Sequence, residues 1–131
     1  MRKEVIIVIL IIAIIFTVNA ISQNFTIESV ERITKDLDEL ESIAKENEES
    51  KNKEETSKII EKVKSDWSNI NYIMSCYIEH DEMEKVNSSM VKFETAFNLD
   101  EYNEGIIELE NCKYILKHIK EKESIRIINF F

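Results

Sequence analysis

Two histidines and the carboxylates around them are the side chains of this sequence best suited to chemistry. His80 stands in the run Glu79-His80-Asp81-Glu82 with Glu84 one turn further on, and His118 is followed by Glu121. Two imidazoles and a carboxylate are a sufficient ligand set for zinc, which makes His80, Asp81, His118 and Glu121 the metal candidates. The same groups could instead form a proton-responsive contact between helices, because a neighbouring carboxylate raises an imidazole pKa, or stay as plain solvated side chains. Beyond them there is little to assemble. No Ser or Cys stands beside a His at a motif spacing, and no Gly-rich loop, HExxH or CxxC occurs. Carboxylate pairs are everywhere, as on any acidic helix surface, so their pairing carries no signal. The expectation is a protein without catalytic activity and without a cofactor.

The elements that position these groups follow from composition. One Gly, no Pro and 33% charged residues leave almost nothing for tight turns or phosphate loops and favour long helices joined by short polar links. With 44% hydrophobic residues at helical spacing, the chain packs rather than staying disordered. A net charge of −9 disfavours nucleic acid and anionic lipid as partners of the soluble part.

Arg2-Lys3-Glu4 precedes twelve uninterrupted apolar residues, Val5 to Phe16, continued by Thr17-Val18-Asn19-Ala20-Ile21. Val18-Asn19-Ala20 has small residues where a signal peptidase inspects, so a removable signal peptide is one reading. Val5 to Ser22 also reaches the ~17 residues that a spanning helix needs, which favours an uncleaved anchor. With Arg2 and Lys3 in front and no basic residue until Arg32, the positive-inside bias sets the N-terminus in the cytoplasm and the body outside. The division is an anchor over 1–22 and an extracytoplasmic body over 23–131, in a single-pass protein of the cell membrane.

The body reads as an all-α antiparallel bundle of three long helices. The first carries Ile27, Val30, Ile33, Leu37, Leu40 and Ala44 at steps of three and four, with Asn24 or Thr26 as its cap, and ends in the charged link 47–53. The middle one, 54–97, carries Ile60, Val63, Trp67, Ile70, Met74 and Tyr77, after which continuing the seam would bury Asp81 and Glu84. Instead the apolar series restarts at Met83, Val86, Met90, Phe93 and Phe97, nearly on the opposite side. Either the helix breaks or kinks near His80, or one helix uses two faces for two partners. The second stripe is ordinary core or a Met-rich surface open to a partner. The third helix, capped by Asp100, carries Tyr102, Ile106, Leu109, Cys112, Leu116 and Ile119.

Folding the last two helices back about 98–101 sets His80 level with His118, though not facing it, and brings Phe130 and Phe131 beside Trp67 and Ser68 as an aromatic plug. An apolar tail of this kind docks on the bundle or the membrane. Cys76 and Cys112 stand ~16 Å apart along the axis in that register, too far for a disulfide. If the anchor stays attached, the middle helix would run into the bilayer, so the chain bends near residues 22–24, near His80, or at both.

Trp67, Tyr77-Ile78-Glu79-His80-Asp81-Glu82, Leu99-Asp100 before an acidic helix, His118-Ile119 with Glu121 and Glu123, and Ile127-Ile128-Asn129-Phe130 appear in that order. As an ordered set they resemble an uncharacterised, domain-of-unknown-function family of short single-pass membrane proteins in Gram-positive spore formers. The resemblance covers about half the chain. It implies an uncleaved anchor, a helical extracytoplasmic body, and His80, Asp81 and His118 as the positions to mutate first; it supplies no activity. The functional expectation is an accessory module that binds another membrane or envelope protein, or a second copy, through Met83, Val86, Met90, Phe93 and Phe97. The alternative is a sensor-like domain that answers to pH or metal at His80 and His118.

Overall fold

A computed structural model describes residues 2–50 and 53–130, with side chains for all of these except 47–50 and 127–130. It holds four helices: α1, Arg2–Ser50; α2, Lys53–Met74; α3, His80–Asn98; and α4, Tyr102–Phe130. The fold is all-α, an apolar N-terminal helix leading into an antiparallel bundle. Residues 51 and 52 of the first link, and Phe131, lie outside the described residues.

Each helix runs antiparallel to its two neighbours, in the up-down-up-down order of a four-helix bundle. Cross-links fix the register. Lys62 reaches Asp36 between α2 and α1, Lys64 reaches Glu94 between α2 and α3, and Lys120 reaches Glu31 between α4 and α1. Asn111 Nδ2 donates to Ser89 Oγ between α4 and α3. The α2–α3 seam is the widest of the four, and Trp67 bridges it, donating from Nε1 to Asn87 Oδ1 at 2.6 Å. The seams read from the sequence are the core: Ile33, Leu37, Leu40, Val63, Met74, Leu109, Cys112, Leu116 and Ile119 are fully enclosed.

α1 is one unbroken helix through the expected boundary at residue 22. Neither Asn24 nor Thr26 caps anything. With no Gly or Pro to stop the helix, Thr26 Oγ1 instead turns back to the Ser22 carbonyl. The first half of α1 is long and apolar enough to cross a membrane, and none of its most apolar stretch is buried by the rest of the chain.

The middle element is two helices, so the chain breaks near His80 instead of offering two faces of one helix. The last turn of α2 tightens, with Cys76 and Tyr77 N–H bonding carbonyls three residues back, and Ile78 N–H bonds the Met74 carbonyl. Ile78 then tucks into the core and Glu79 turns extended, with φ −55° and ψ 133°, before α3 begins. The reversal keeps Asp81 exposed and puts Asp81 and Glu82 in the first turn of α3, where the helix dipole favours acids.

This reversal corrects two expectations. Met83, Val86, Met90, Phe93 and Phe97 are all buried within the chain, so the stripe expected to meet a partner is core. It also separates Trp67 from the level of the end of α4: Trp67 stands with Asn87 in mid-bundle, whereas the backbone of α4 runs on to the end where α1 emerges from its apolar half. The expected plug itself, made by the side chain of Phe130 and by Phe131, lies outside the described residues. The aromatic cluster at the distal end is Phe93, Phe97 and Tyr102, with ring centroids 6.2 and 6.0 Å apart.

Gly105 permits that cluster. A Cβ there would fall 2.5 Å from Phe97 Cε1. Asp100 does not cap α4 as expected. It takes the left-handed conformation, φ 61°, that closes α3, with Glu101 N–H bonding the Ala96 carbonyl and Asp100 N–H the Phe97 carbonyl. Its carboxylate pairs with Lys53 at 2.7 Å.

Candidate functional site

The polar groups that sequence spacing scattered along the chain collect at the proximal end of the bundle, where α1 emerges from its apolar half. Three elements contribute: α1 through Ser22, Gln23 and Thr26, the α2–α3 turn through Tyr77 and Glu79, and α4 through Lys122, Glu123 and Arg126.

Tyr77 Oη lies 3.1 Å from the Ser22 carbonyl and 2.7 Å from Thr26 Oγ1, which lies 2.9 Å from the same carbonyl. Two hydroxyl protons thus serve three oxygen contacts. Burial pushes the Tyr77 phenol up, against the Thr26 hydrogen bond that pulls it down, so the ring stays neutral. Gln23, 4% exposed, donates from Nε2 to the Glu123 carbonyl and leaves its own Oε1 buried without a partner. Glu123 is buried as well, and its carboxylate meets Arg126 at 3.3 Å. A groove of about 550 Å³ opens beside these groups, walled by Phe16 to Asn24 of α1 with Tyr77, Glu123 and Arg126.

Next to it, Lys122 ties the turn and α3 to α4, at 2.9 Å from Glu79 and 3.4 Å from Glu82. The hydrogen bond from Lys122 holds the Glu79 carboxyl below its usual range, and the same bond raises the lysine. Glu82 is nearly buried and also faces His118 Nε2 at 3.7 Å. Further up, Lys113 sits among Asp38, Glu41 and Glu110 at 2.8, 2.6 and 2.6 Å. A hydrogen bond with Glu110, and then those from Lys113 and Lys45, bring Glu41 down to about 2. Burial of Lys113, which opposes its charge, is outweighed by its three carboxylates, and its pKa rises.

The expected metal candidates do not converge. His80, 82% exposed, bonds Glu84 on its own helix at 3.0 Å, and Glu121 lies 3.9 Å from Lys117. Asp81 is exposed on α3, and His118 faces Glu82. Among the described residues no three His, Cys, Asp or Glu side chains are grouped to hold a metal ion. Both cysteines are free thiols, Cys76 exposed and Cys112 buried, and burial pushes the Cys112 thiol up to about 12. It is protonated at neutral pH and shielded from reagents.

Sequence reasoning passed over Gln23 and gave Glu82 and Glu123 no role of their own, although both stand in runs quoted above. The signal was there for Glu82, which shares a row at sevenfold spacing with Ser89 and Ala96, all three buried. For Gln23 and Glu123 the only hint was their place in step with the seams of α1 and α4.

No curated protein and no solved structure matches the chain. A family model does, over residues 24–130, which is the whole bundle without the apolar half of α1. The chain belongs to the DUF4363 family, a domain of unknown function.

Proposed function

We propose that this protein is a non-catalytic helical module held outside the cytoplasmic membrane by an uncleaved single-pass anchor, where it binds another membrane or envelope protein. The observation that carries the reading is α1. Its apolar half is uncovered, its second half is a wall of the bundle, and no break separates them. A removable signal is followed by a stretch that a peptidase can reach in extended form, whereas here Val18-Asn19-Ala20 lies inside a continuous helix. Arg2 and Lys3 ahead of the span orient it with the bundle outside. The partner surface lies outside the buried stripe of α3, among the exposed faces of the bundle or along the span.

The test is made in cells. The chain should remain in membranes through an alkaline carbonate wash at its full mass of 15.5 kDa. Its bundle should be cut by protease added outside spheroplasts. A shortened chain released to the medium, or a bundle cut only after lysis, would overturn the reading.

A second reading, a proton-responsive domain, is favoured by one observation: the nearly buried Glu82 is shared by His118 and Lys122. Protonation of His118 would add a second cation to that carboxylate and tighten α3 on α4. Protection of the α3 amides, corrected for intrinsic exchange rate, that is identical at pH 5.5 and 7.5 and unaltered by His118→Ala would exclude it.

A further inference from the structure

We infer that the last turns of α4, from Arg126 through Phe130, enter the lipid surface beside α1, so that the domain meets the bilayer at two places. The inference rests on the anchor being retained, as proposed above.

Register carries the argument. The bond from Gln23 to the Glu123 carbonyl sets these two residues level on antiparallel helices, and α4 stays helical through Phe130. Seven residues beyond Glu123 advance its backbone ~10 Å, and seven residues back from Gln23 reach Phe16 over the same rise. The backbone at Phe130 therefore draws level with Phe16, five residues inside the apolar run that closes at Ile21. If that run spans the bilayer, the level of Phe130 is below the headgroups, at the ~5–10 Å depth typical of an interfacial helix.

Composition agrees with that depth. After Arg126 the sequence is Ile127-Ile128-Asn129-Phe130, without a charge, and Ile125 just above is 54% exposed. Folding back to cover these residues with the bundle is closed by the helix itself, which carries them away from the core. A helical backbone satisfies most of its own polar groups and can enter lipid at shallow depth where an irregular tail would not. Arg126 stands at the boundary. It is long enough to keep its guanidinium at phosphate level while its stem lies among acyl chains. The groove between the two helices, lined by Phe16, Ile21, Tyr77 and Arg126, is then filled by lipid tails.

The experiment uses the full chain, its intact mass verified before reconstitution in phosphatidylcholine vesicles, so that presence of the anchor is not in question. Trp67 is the sole tryptophan and lies in mid-bundle, far from lipid, which makes the parent a blank. The emission added by Phe130→Trp, and separately by Ile128→Trp, is measured with lipids bearing a doxyl group at acyl carbon 5 and with aqueous acrylamide. Entry into lipid predicts at least twofold quenching of the added emission by the doxyl lipid and several-fold less quenching by acrylamide than for free tryptophan. Added emission at both positions that ignores the doxyl lipid and is quenched by acrylamide as fully as free tryptophan would overturn the inference. That outcome leaves the carbonate and protease result standing, so the two readings fail separately.

Discussion

Replacing Lys113 by Met removes the one cation shared by Asp38, Glu41 and Glu110 while keeping an unbranched stem of similar bulk. Lys113 and Glu41 have side chains only 16% and 15% exposed, so their attraction is poorly screened, whereas Asp38 and Glu110 are more than half exposed and add little. A carboxyl held at about 2 instead of 4.5 is worth ~3 kcal/mol at neutral pH. Lys113 is one of several groups that hold it there, which leaves roughly 2 kcal/mol as the expected loss in Lys113→Met. The sign fixes the pH window. A depressed carboxyl stabilises fully above its unfolded pKa near 4.5, and loses that contribution as pH falls toward about 2. The gap between the parent and Lys113→Met should thus be full at pH 7, nearly full at pH 4.5, down to about three-fifths at pH 3, and below half by about pH 2.5. Urea unfolding of the full chain in mild detergent, followed by Trp67 fluorescence, reads it directly, since Trp67 is buried in the bundle at 5% exposure. A gap equal at pH 7 and pH 3 would refute the electrostatic account and leave only packing of the lysine stem.

Gly105→Ala should cost about 1–3 kcal/mol by the same assay despite the higher helix propensity of Ala, because the new methyl meets the Phe97 ring; the cost should shrink in a Phe97→Leu background. Asn87→Leu should cost about 1–2 kcal/mol by stranding Trp67 Nε1, with a shift in Trp67 emission as the local readout. Titration with a thiol reagent should find one reactive cysteine in the folded chain and two in denaturant, and Cys76→Ser should abolish the first. Asp100→Gly should be neutral to stabilising by a few tenths of a kcal/mol, since relief of a left-handed backbone outweighs an exposed ion pair; a loss above about 1 kcal/mol would contradict it.

The seams of the bundle were readable because three-four spacing reports directly on which side of a helix is buried, and Val30 through Ala44 or Leu109 through Ile119 lie where that spacing put them. The restart of the apolar series after Tyr77 was equally visible. Its cause was not, because the break is made by packing of Ile78 and hydrogen bonding of Tyr77 to α1, neither of which has a local signature like Pro or Gly. Asn24 and Thr26 looked like caps since capping preference is local, and the helix that runs through them is held by the bundle beyond. The 98–101 reversal was placed correctly, yet the level it implied for Trp67 and the end of α4 was not, because only α3, not α2, shares that hairpin with α4. The proximal polar cluster was hidden for a related reason. Gln23, Glu82 and Glu123 are of types that normally face water, and their burial follows from where three separate elements overlap.

An unbroken α1 acts as a shaft with fixed phase. Each residue turns a helix by 100°, so the side of the apolar half that points toward any given neighbour is locked to the orientation of the bundle above it. One residue inserted at the junction near Asn24 would swing the bundle by about 100° around the shaft axis. Seven would return it to within about 20° of its starting bearing and lift it ~10 Å. A partner that grips both the span and the bundle would tolerate the second insertion far better than the first.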